Sequence, residues 1–121
     1  MAMLQTAAIL FAIAALGGLL MAGIRFAGNV NPPAWVAMIH GLLAASGLTL
    51  LAYAIATQPL AGATTRAILA LVLFLVAAGG GATLSLAYKW KQRLLPKWLV
   101  LVHATAAVLG FLVLAFAAFA G

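Results

Sequence analysis

Long apolar runs, separated by short breaks, make up almost the whole chain. Each run has the roughly 20 residues that a helix needs to cross a bilayer. The breaks contain proline, glycine and asparagine, which are typical of turns. Connections this short place consecutive helices antiparallel. The pattern predicts an all-α integral membrane protein, a single domain over 1–121 with four transmembrane helices in an up-down bundle, at 6–26, 34–57, 65–88 and 98–120.

The amino-acid composition supports an integral membrane protein and excludes a soluble domain and every cysteine-based site. Apolar residues make up 69% of the 121 residues, charged residues only 5%, and the mean hydropathy is +1.31. A soluble domain of this size would expose far more charge. Cysteine is absent, which excludes disulfides, thiolate nucleophiles and zinc–thiolate sites. The first run lacks a basic start and is longer than a signal-peptide core, so we expect it to be a retained span.

The six basic residues are distributed unevenly, and no Asp or Glu balances them. One of them, Arg66, follows the second break, and the others flank the first and third breaks: Arg25, Lys89, Lys91, Arg93 and Lys97. Because they adjoin apolar runs, an anionic lipid surface is a better partner than nucleic acid. We expect a multi-pass protein of the bacterial inner membrane, and the positive-inside rule places these two connections in the cytoplasm and both termini outside. An interfacial aromatic belt accounts for Trp35, Trp90, Trp98 and Tyr88.

The two halves of the chain resemble each other at an offset of about 63 residues. The offset aligns Pro33, Trp35 and His40 with Pro96, Trp98 and His103, and it also aligns the Gly17–Gly18 pair with Gly80–Gly81. We interpret this as a duplicated helical hairpin, with repeats at about 1–58 and 64–121. The alternative explanation is convergence: all membrane spans favour similar residues, so the two halves could resemble each other without a duplication.

His40 and His103 are the ionisable residues that lie well inside the predicted spans. Each follows the start of its span by about six residues, which corresponds to roughly 9 Å at 1.5 Å per residue. The second and fourth spans are parallel, so we expect both imidazoles at one depth. An intramembrane ionisable group is a functional hypothesis by default. A histidine can also remain neutral and form a hydrogen bond to a neighbouring helix.

Small residues share the helix faces of these histidines. Their positions relative to each histidine are +4 and +7, where residues lie on the same face. The adjoining antiparallel spans carry glycines near the same depth. Two interpretations remain open: a flat slot for a cofactor, or close packing between helices. The residues concerned are Ala44, Gly47, Ala107, Gly110, Gly17, Gly18, Gly80 and Gly81.

The paired histidines on a four-span chain resemble the four-helix membrane cytochromes of the b type, in which histidines on bundle helices ligate haem. The resemblance implies one non-covalent haem b with His40 and His103 as iron ligands, and electron transfer with quinol or another redox partner. Haems shared across a homodimer are a variant. We expect Arg25, with Lys89 or Lys97, to neutralise the haem carboxylates. Neither histidine belongs to a C-x-x-C-H motif, which excludes covalent attachment.

Other functions are consistent with parts of the pattern. The chain has almost no residues outside its spans, as expected for an accessory or structural subunit of a larger membrane complex. A (bacterio)chlorophyll is an alternative ligand for the histidines. Length and span number resemble small multidrug-resistance exporters, but those transporters need a membrane-embedded carboxylate that this chain lacks. The sequence shows no catalytic set for hydrolysis or group transfer, and whether the chain is an enzyme stays open.

Overall fold

The computed structural model describes residues 1–120, and these form an all-helical structure without strands. Its four main helices are α1 (Ala2–Ala27), α2 (Ala34–Thr57), α3 (Thr64–Thr83) and α4 (Lys97–Phe119). A 3₁₀ turn (Ala61–Ala63) precedes α3, and a π-helical segment (Leu84–Lys89) continues it. Each of the four helical stretches is long and apolar enough to cross a membrane.

The number and order of the predicted helices are confirmed, whereas two boundaries differ. The first helix begins at Ala2 instead of residue 6. The third predicted helix changes from α to π hydrogen bonding at Leu84, where the Trp90 N–H donates to the Ser85 carbonyl at 2.8 Å. Apolar periodicity over so few residues does not distinguish a π-helical turn from an α-helical one.

The α1–α2 and α3–α4 connections lie at the same end of the bundle and are hydrogen-bonded to each other. The Asn31 amide donates to the Arg93 carbonyl at 2.8 Å and accepts the Leu95 N–H at 3.0 Å. The Lys89 ammonium donates to the Pro32 carbonyl. We call this the basic end, because it carries five of the six cationic residues: Arg25, Lys89, Lys91, Arg93 and Lys97.

The opposite end holds the chain termini and the α2–α3 connection. The Gln5 side-chain amide donates to the Ala118 carbonyl at 3.3 Å, which joins the start of α1 to the end of α4. The Arg66 guanidinium, which belongs to the one Lys or Arg side chain on this side, lies 4.5 Å from the centre of the Phe116 ring. The charge difference between the two ends is therefore present in the folded structure.

The Arg25 side chain is buried at the basic end, with 6% of its surface exposed. Its Nε donates to the Leu95 carbonyl at 2.7 Å and its Nη1 to the Gly28 carbonyl at 3.2 Å. The chain contains no carboxylate side chain, so backbone carbonyls supply the acceptors. The position is also favourable because Arg25 lies in the last turn of α1, where the helix dipole attracts a cation.

Most of the buried apolar side chains form two separate clusters, and Val36 is buried outside both. The larger cluster fills the half of the bundle near the termini and includes three leucines with no exposed surface, Leu4, Leu51 and Leu114. The smaller one lies toward the basic end and consists of Leu84, Leu95, Leu99 and Val100. The layer that contains the histidines separates the two clusters.

Buried positions recur in the two hairpins at the same offset of about 63 residues. Within each hairpin the two helices pack closely, α1 on α2 and α3 on α4, and α1 also packs along α4. The matched buried residues are Leu4 and Ala67, Ala7 and Ala70, Phe11 and Phe74, Ala14 and Ala77, Pro32 and Leu95, Val36 and Leu99, Gly47 and Gly110, Leu51 and Leu114, and Ala54 and Ala117.

Candidate functional site: the paired histidines

Each histidine is fixed by one hydrogen bond to the partner helix of its own hairpin. His40 Nδ1 lies 2.7 Å from the Ala14 carbonyl oxygen, and His103 Nδ1 lies 2.6 Å from the Ala77 carbonyl oxygen. A carbonyl oxygen can only accept, so each Nδ1 carries the proton and donates it. In the neutral imidazole the lone pair is therefore on Nε2, which is the nitrogen available to a ligand or metal.

The two imidazoles approach each other across the bundle. Their ring centroids are 6.1 Å apart, and the ring planes make an angle of 74°. The rings come from α2 and α4, which belong to different hairpins. Thus the structure brings together the two residues that the sequence singles out.

Glycines on α1 and α3 provide the space for the imidazole rings. A methyl group at position 18 would lie 3.1 Å from His40 Cε1, and one at position 81 would lie 3.1 Å from His103 Cε1. At position 80 the methyl group would meet His103 Cβ at 3.3 Å, and at position 17 it would meet His40 Cβ at 3.7 Å. Gly18 and Gly81 therefore allow each ring to reach its carbonyl acceptor, because a larger residue would displace the ring.

The glycines on the histidine helices have a different neighbour. A methyl group at position 47 would lie 2.9 Å from Phe11 Cε2, and one at position 110 would lie 3.2 Å from Phe74. Phe11 and Phe74 stack face to face between them, with centroids 3.7 Å apart and planes within 2°. The space beside Gly47 and Gly110, which the sequence suggests for a flat cofactor, holds two flat side chains of the protein itself.

Four other residues expected at the site have surroundings of their own. Ala44 packs against the larger core cluster, and Ala107 is half-buried on α4. The Arg25 guanidinium donates to the two carbonyls described above. Lys97, a second candidate for binding carboxylates, has its ammonium group 5.5 Å from the centre of the Phe26 ring.

Among His, Cys, Asp and Glu, the sequence contains only the two histidines. Within residues 1–120, no group of three or more His, Cys, Asp or Glu side chains could hold a metal ion. In the same range no fully buried side-chain nitrogen or oxygen lacks a hydrogen-bond partner. Each ring forms its hydrogen bond through Nδ1, and because no fully buried ring nitrogen in this range lacks a partner, each Nε2 retains some accessible surface.

Sequence reasoning did not assign a role to Phe11, Phe74 or Asn31. The two phenylalanines are equivalent in the repeat, and each packs on a repeat-equivalent glycine of the neighbouring helix. Paired aromatic and glycine positions at one offset were the signal that could have identified this packing. For Asn31 no such signal exists, because its partners are backbone atoms of a connection about 60 residues later in the chain.

Comparisons with protein-family models, with curated proteins and with solved structures find no match for this chain. The functional argument therefore rests on the paired histidines and on the residues that surround them.

Proposed function

We propose that this chain is a membrane cytochrome of the b type that binds one haem through two histidines and transfers electrons. The four helices cross a bacterial inner membrane in an up-down bundle of two repeated hairpins. The basic end faces the cytoplasm, and both termini lie on the other side. The excess of Lys and Arg at one end supports this orientation.

The observation that carries the proposal is the separation of the two imidazoles. Metal–imidazole bonds of about 2.0 Å place the centroids of two opposed rings roughly 6 Å apart across a single metal ion. The observed separation is 6.1 Å. Packed aromatic rings also have centroids about 4.5–7 Å apart, so the separation fits a shared metal ion without requiring one.

The hydrogen bonds of the rings also suit metal ligation. Histidine ligands commonly donate their second nitrogen to a carbonyl, which fixes the tautomer and the ring orientation. The carbonyls of Ala14 and Ala77 accept this bond from His40 and His103. In the neutral imidazoles this tautomer leaves the lone pair of each Nε2 free for a metal.

The small residues around the imidazole rings leave space for a planar group, and the Phe11–Phe74 stack limits that space on one side. Between Phe11 and the basic end, the inward positions of α1 near His40 are alanine and glycine, and the same holds on α3 after Phe74. These positions include Ala14, Gly18 and their equivalents in the second hairpin. Because the Phe11–Phe74 stack fills the bundle toward the termini, a planar group would lie between the stack and the basic end.

Bound haem supplies a one-electron redox centre, and ligation by two histidines leaves no open iron position for oxygen chemistry. The residues of the chain then have distinct tasks. His40 and His103 would hold the iron, whereas Ala14 and Ala77 orient the imidazoles. The larger apolar cluster excludes water from the end of the bundle that holds the termini. Because so little of the chain lies outside the apolar spans, quinol in the membrane is the electron partner that we propose.

Haem titration of the purified chain tests the proposal. We expect one haem per chain with the spectrum of a six-coordinate b-type centre, and loss of that spectrum in both His40→Ala and His103→Ala. Gly79→Ala is the matched control, because a methyl group there has no atom within 4 Å. Binding that persists unchanged in either histidine variant would rule out ligation by the pair.

A second candidate is a structural subunit of a larger membrane complex that binds no cofactor. The observation that favours it is that each Nδ1 already has a carbonyl acceptor, so the histidines can serve as hydrogen bonds between helices. Under this function His40→Gln and His103→Gln would keep the partner complex fully active. The cytochrome function predicts that both variants abolish electron transfer.

A further inference from the structure

The five cations at the basic end fall into two groups with different surroundings. Arg25 and Lys89 are bound inside the protein, because each donates to a backbone carbonyl in the connection of the other hairpin, Leu95 and Pro32 respectively. These two carbonyls are equivalent at the offset of about 63 residues, so each hairpin supplies one cation to the other. Both cations also lie in a last helical turn, where the helix dipole favours positive charge.

The second group consists of Lys91, Arg93 and Lys97, and all three residues are exposed. The chain contains no Asp or Glu that could pair with them. Lys97 is the first residue of α4, where the helix dipole opposes a cation, and the first turn of α4 has no acidic residue. These three side chains, which we call the free cations, therefore take their counter-charges from outside the chain.

The free cations lie beside α4 and not beside the start of α2. All three belong to the α3–α4 connection or the first residue of α4, whereas residues 28–33 of the α1–α2 connection carry no charge. The Lys97 ammonium lies 5.5 Å from the centre of the Phe26 ring, and the Arg93 guanidinium 5.1 Å from that of Tyr88. Helices α2 and α4 occupy opposite corners of the bundle, since each packs on α1 and α3. The free positive charge is thus one-sided.

The depth of this charge matches the headgroups of a bilayer. Helix α4 has 23 residues and a length of roughly 34 Å, close to the hydrocarbon thickness of about 30 Å, so Lys97 lies at the interface. The tryptophans lie at this end as well: Trp35, Trp90 and Trp98 are 66%, 73% and 63% exposed, as in an interfacial aromatic belt. At this depth anionic headgroups supply negative charge, and each nearby Lys or Arg strengthens their binding about fivefold.

We propose that the free cations and Trp98 form a contact site for anionic phospholipid headgroups beside α4, and that the start of α2 has no such preference. Charge complementarity carries the proposal, because the surface is basic, exposed and without acidic side chains of its own. Arg25 and Lys89 hold the two connections together, whereas the free cations hold lipid. The inference involves neither histidine, so it is independent of haem binding.

The internal repeat supplies a matched control for the test. Trp35 and Trp98 are equivalent, and each is the second residue of its helix. Trp35→Phe with Trp90→Phe retains Trp98, and Trp90→Phe with Trp98→Phe retains Trp35. Each variant is reconstituted in phosphatidylcholine bilayers that contain either brominated phosphatidylglycerol or brominated phosphatidylcholine.

Quenching of the remaining tryptophan by the brominated lipids gives the binding constant of the anionic lipid relative to the zwitterionic one. We expect a ratio of about five or more at Trp98 and about one at Trp35. Quenching by a bound haem cancels, because both lipids are compared on the same variant. Equal ratios at the two tryptophans would overturn the proposal, and this comparison leaves every cation in place.

Removal of the free cations tests their part in the site. A triple variant carries Lys91→Gln, Arg93→Gln and Lys97→Gln. It should lower the ratio at Trp98 to about one, as should about 1 M sodium chloride, which screens charges beyond about 3 Å. Arg66→Gln, at the opposite end, should leave the ratio unchanged. A ratio that the triple variant retains would contradict the assignment.

A soluble anion is the other possible source of the phosphate group. Millimolar inorganic phosphate, added at constant ionic strength, should leave the ratio at Trp98 unchanged. Loss of the lipid preference under these conditions would assign the free cations to a soluble phosphate and overturn the lipid site.

Discussion

The contact between Gly47 and Phe11 leads to a quantitative prediction about stability. Gly47→Ala adds a methyl group 2.9 Å from Phe11 Cε2, at a place where the ring cannot retreat because it stacks on Phe74 at 3.7 Å. Overpacking of this kind costs about 1–3 kcal/mol. Alanine is favoured over glycine within a helix by about 1 kcal/mol, which partly offsets that cost.

Gly41→Ala provides the matched control, since it lies in the same helix and a methyl group there meets no atom within 4 Å. The gain in helix propensity is common to both variants. We therefore expect Gly47→Ala to have a free energy of unfolding about 1–3 kcal/mol below that of Gly41→Ala. The measurement is equilibrium unfolding in mixed micelles with increasing dodecyl sulfate, followed by circular dichroism.

A double variant identifies the ring as the cause. Phe11→Leu removes the ring atoms that the new methyl group meets, so the cost of Gly47→Ala should fall by about 0.5–3 kcal/mol in that background. Equal stabilities of Gly47→Ala and Gly41→Ala, or a cost that Phe11→Leu leaves unchanged, would refute the packing of the phenylalanines described here.

Three further predictions concern the basic end, each measured by the same unfolding assay. Arg25→Met leaves two carbonyls without their donor and should lower the free energy of unfolding by about 1–3 kcal/mol. Lys91→Met, at an exposed position, should change it by less than about 0.5 kcal/mol. Equal effects of the two variants would argue against the buried guanidinium. Asn31→Ala removes two hydrogen bonds between the connections and should cost about 1–2 kcal/mol, and no loss would show that water replaces the amide. Gln92→Gly should stabilise the chain by about 0.5–1 kcal/mol, because Gln92 has a φ of 55° that glycine adopts without strain; destabilisation would contradict this backbone conformation.

The number, order and approximate bounds of the helices follow from the sequence. The thickness of a bilayer fixes the length of an apolar run, and turn residues mark its ends, so neither depends on tertiary contacts. The placement of the two histidines at one level of the bundle follows in the same way, from helix rise alone. These features are local or nearly local in the chain. They required no knowledge of which residues meet.

The packing around the site depends on contacts between distant residues and was therefore less predictable. Composition shows that Gly18 and Gly47 leave space, but not that an imidazole fills the first space and a phenyl ring the second. The π-helical turn after Thr83 arises from a choice of hydrogen-bond partner that apolar residues do not encode. Likewise, the burial of Arg25 depends on the Leu95 carbonyl, 70 residues away.

The central claim, a haem held between His40 and His103, is tested most directly by a reduced-minus-oxidised visible spectrum of the protein purified from haem-sufficient cells. We predict a sharp b-type α band that disappears in each of the single variants His40→Ala and His103→Ala. A featureless difference spectrum from protein that is folded, with the helix content of the structure, would contradict the account.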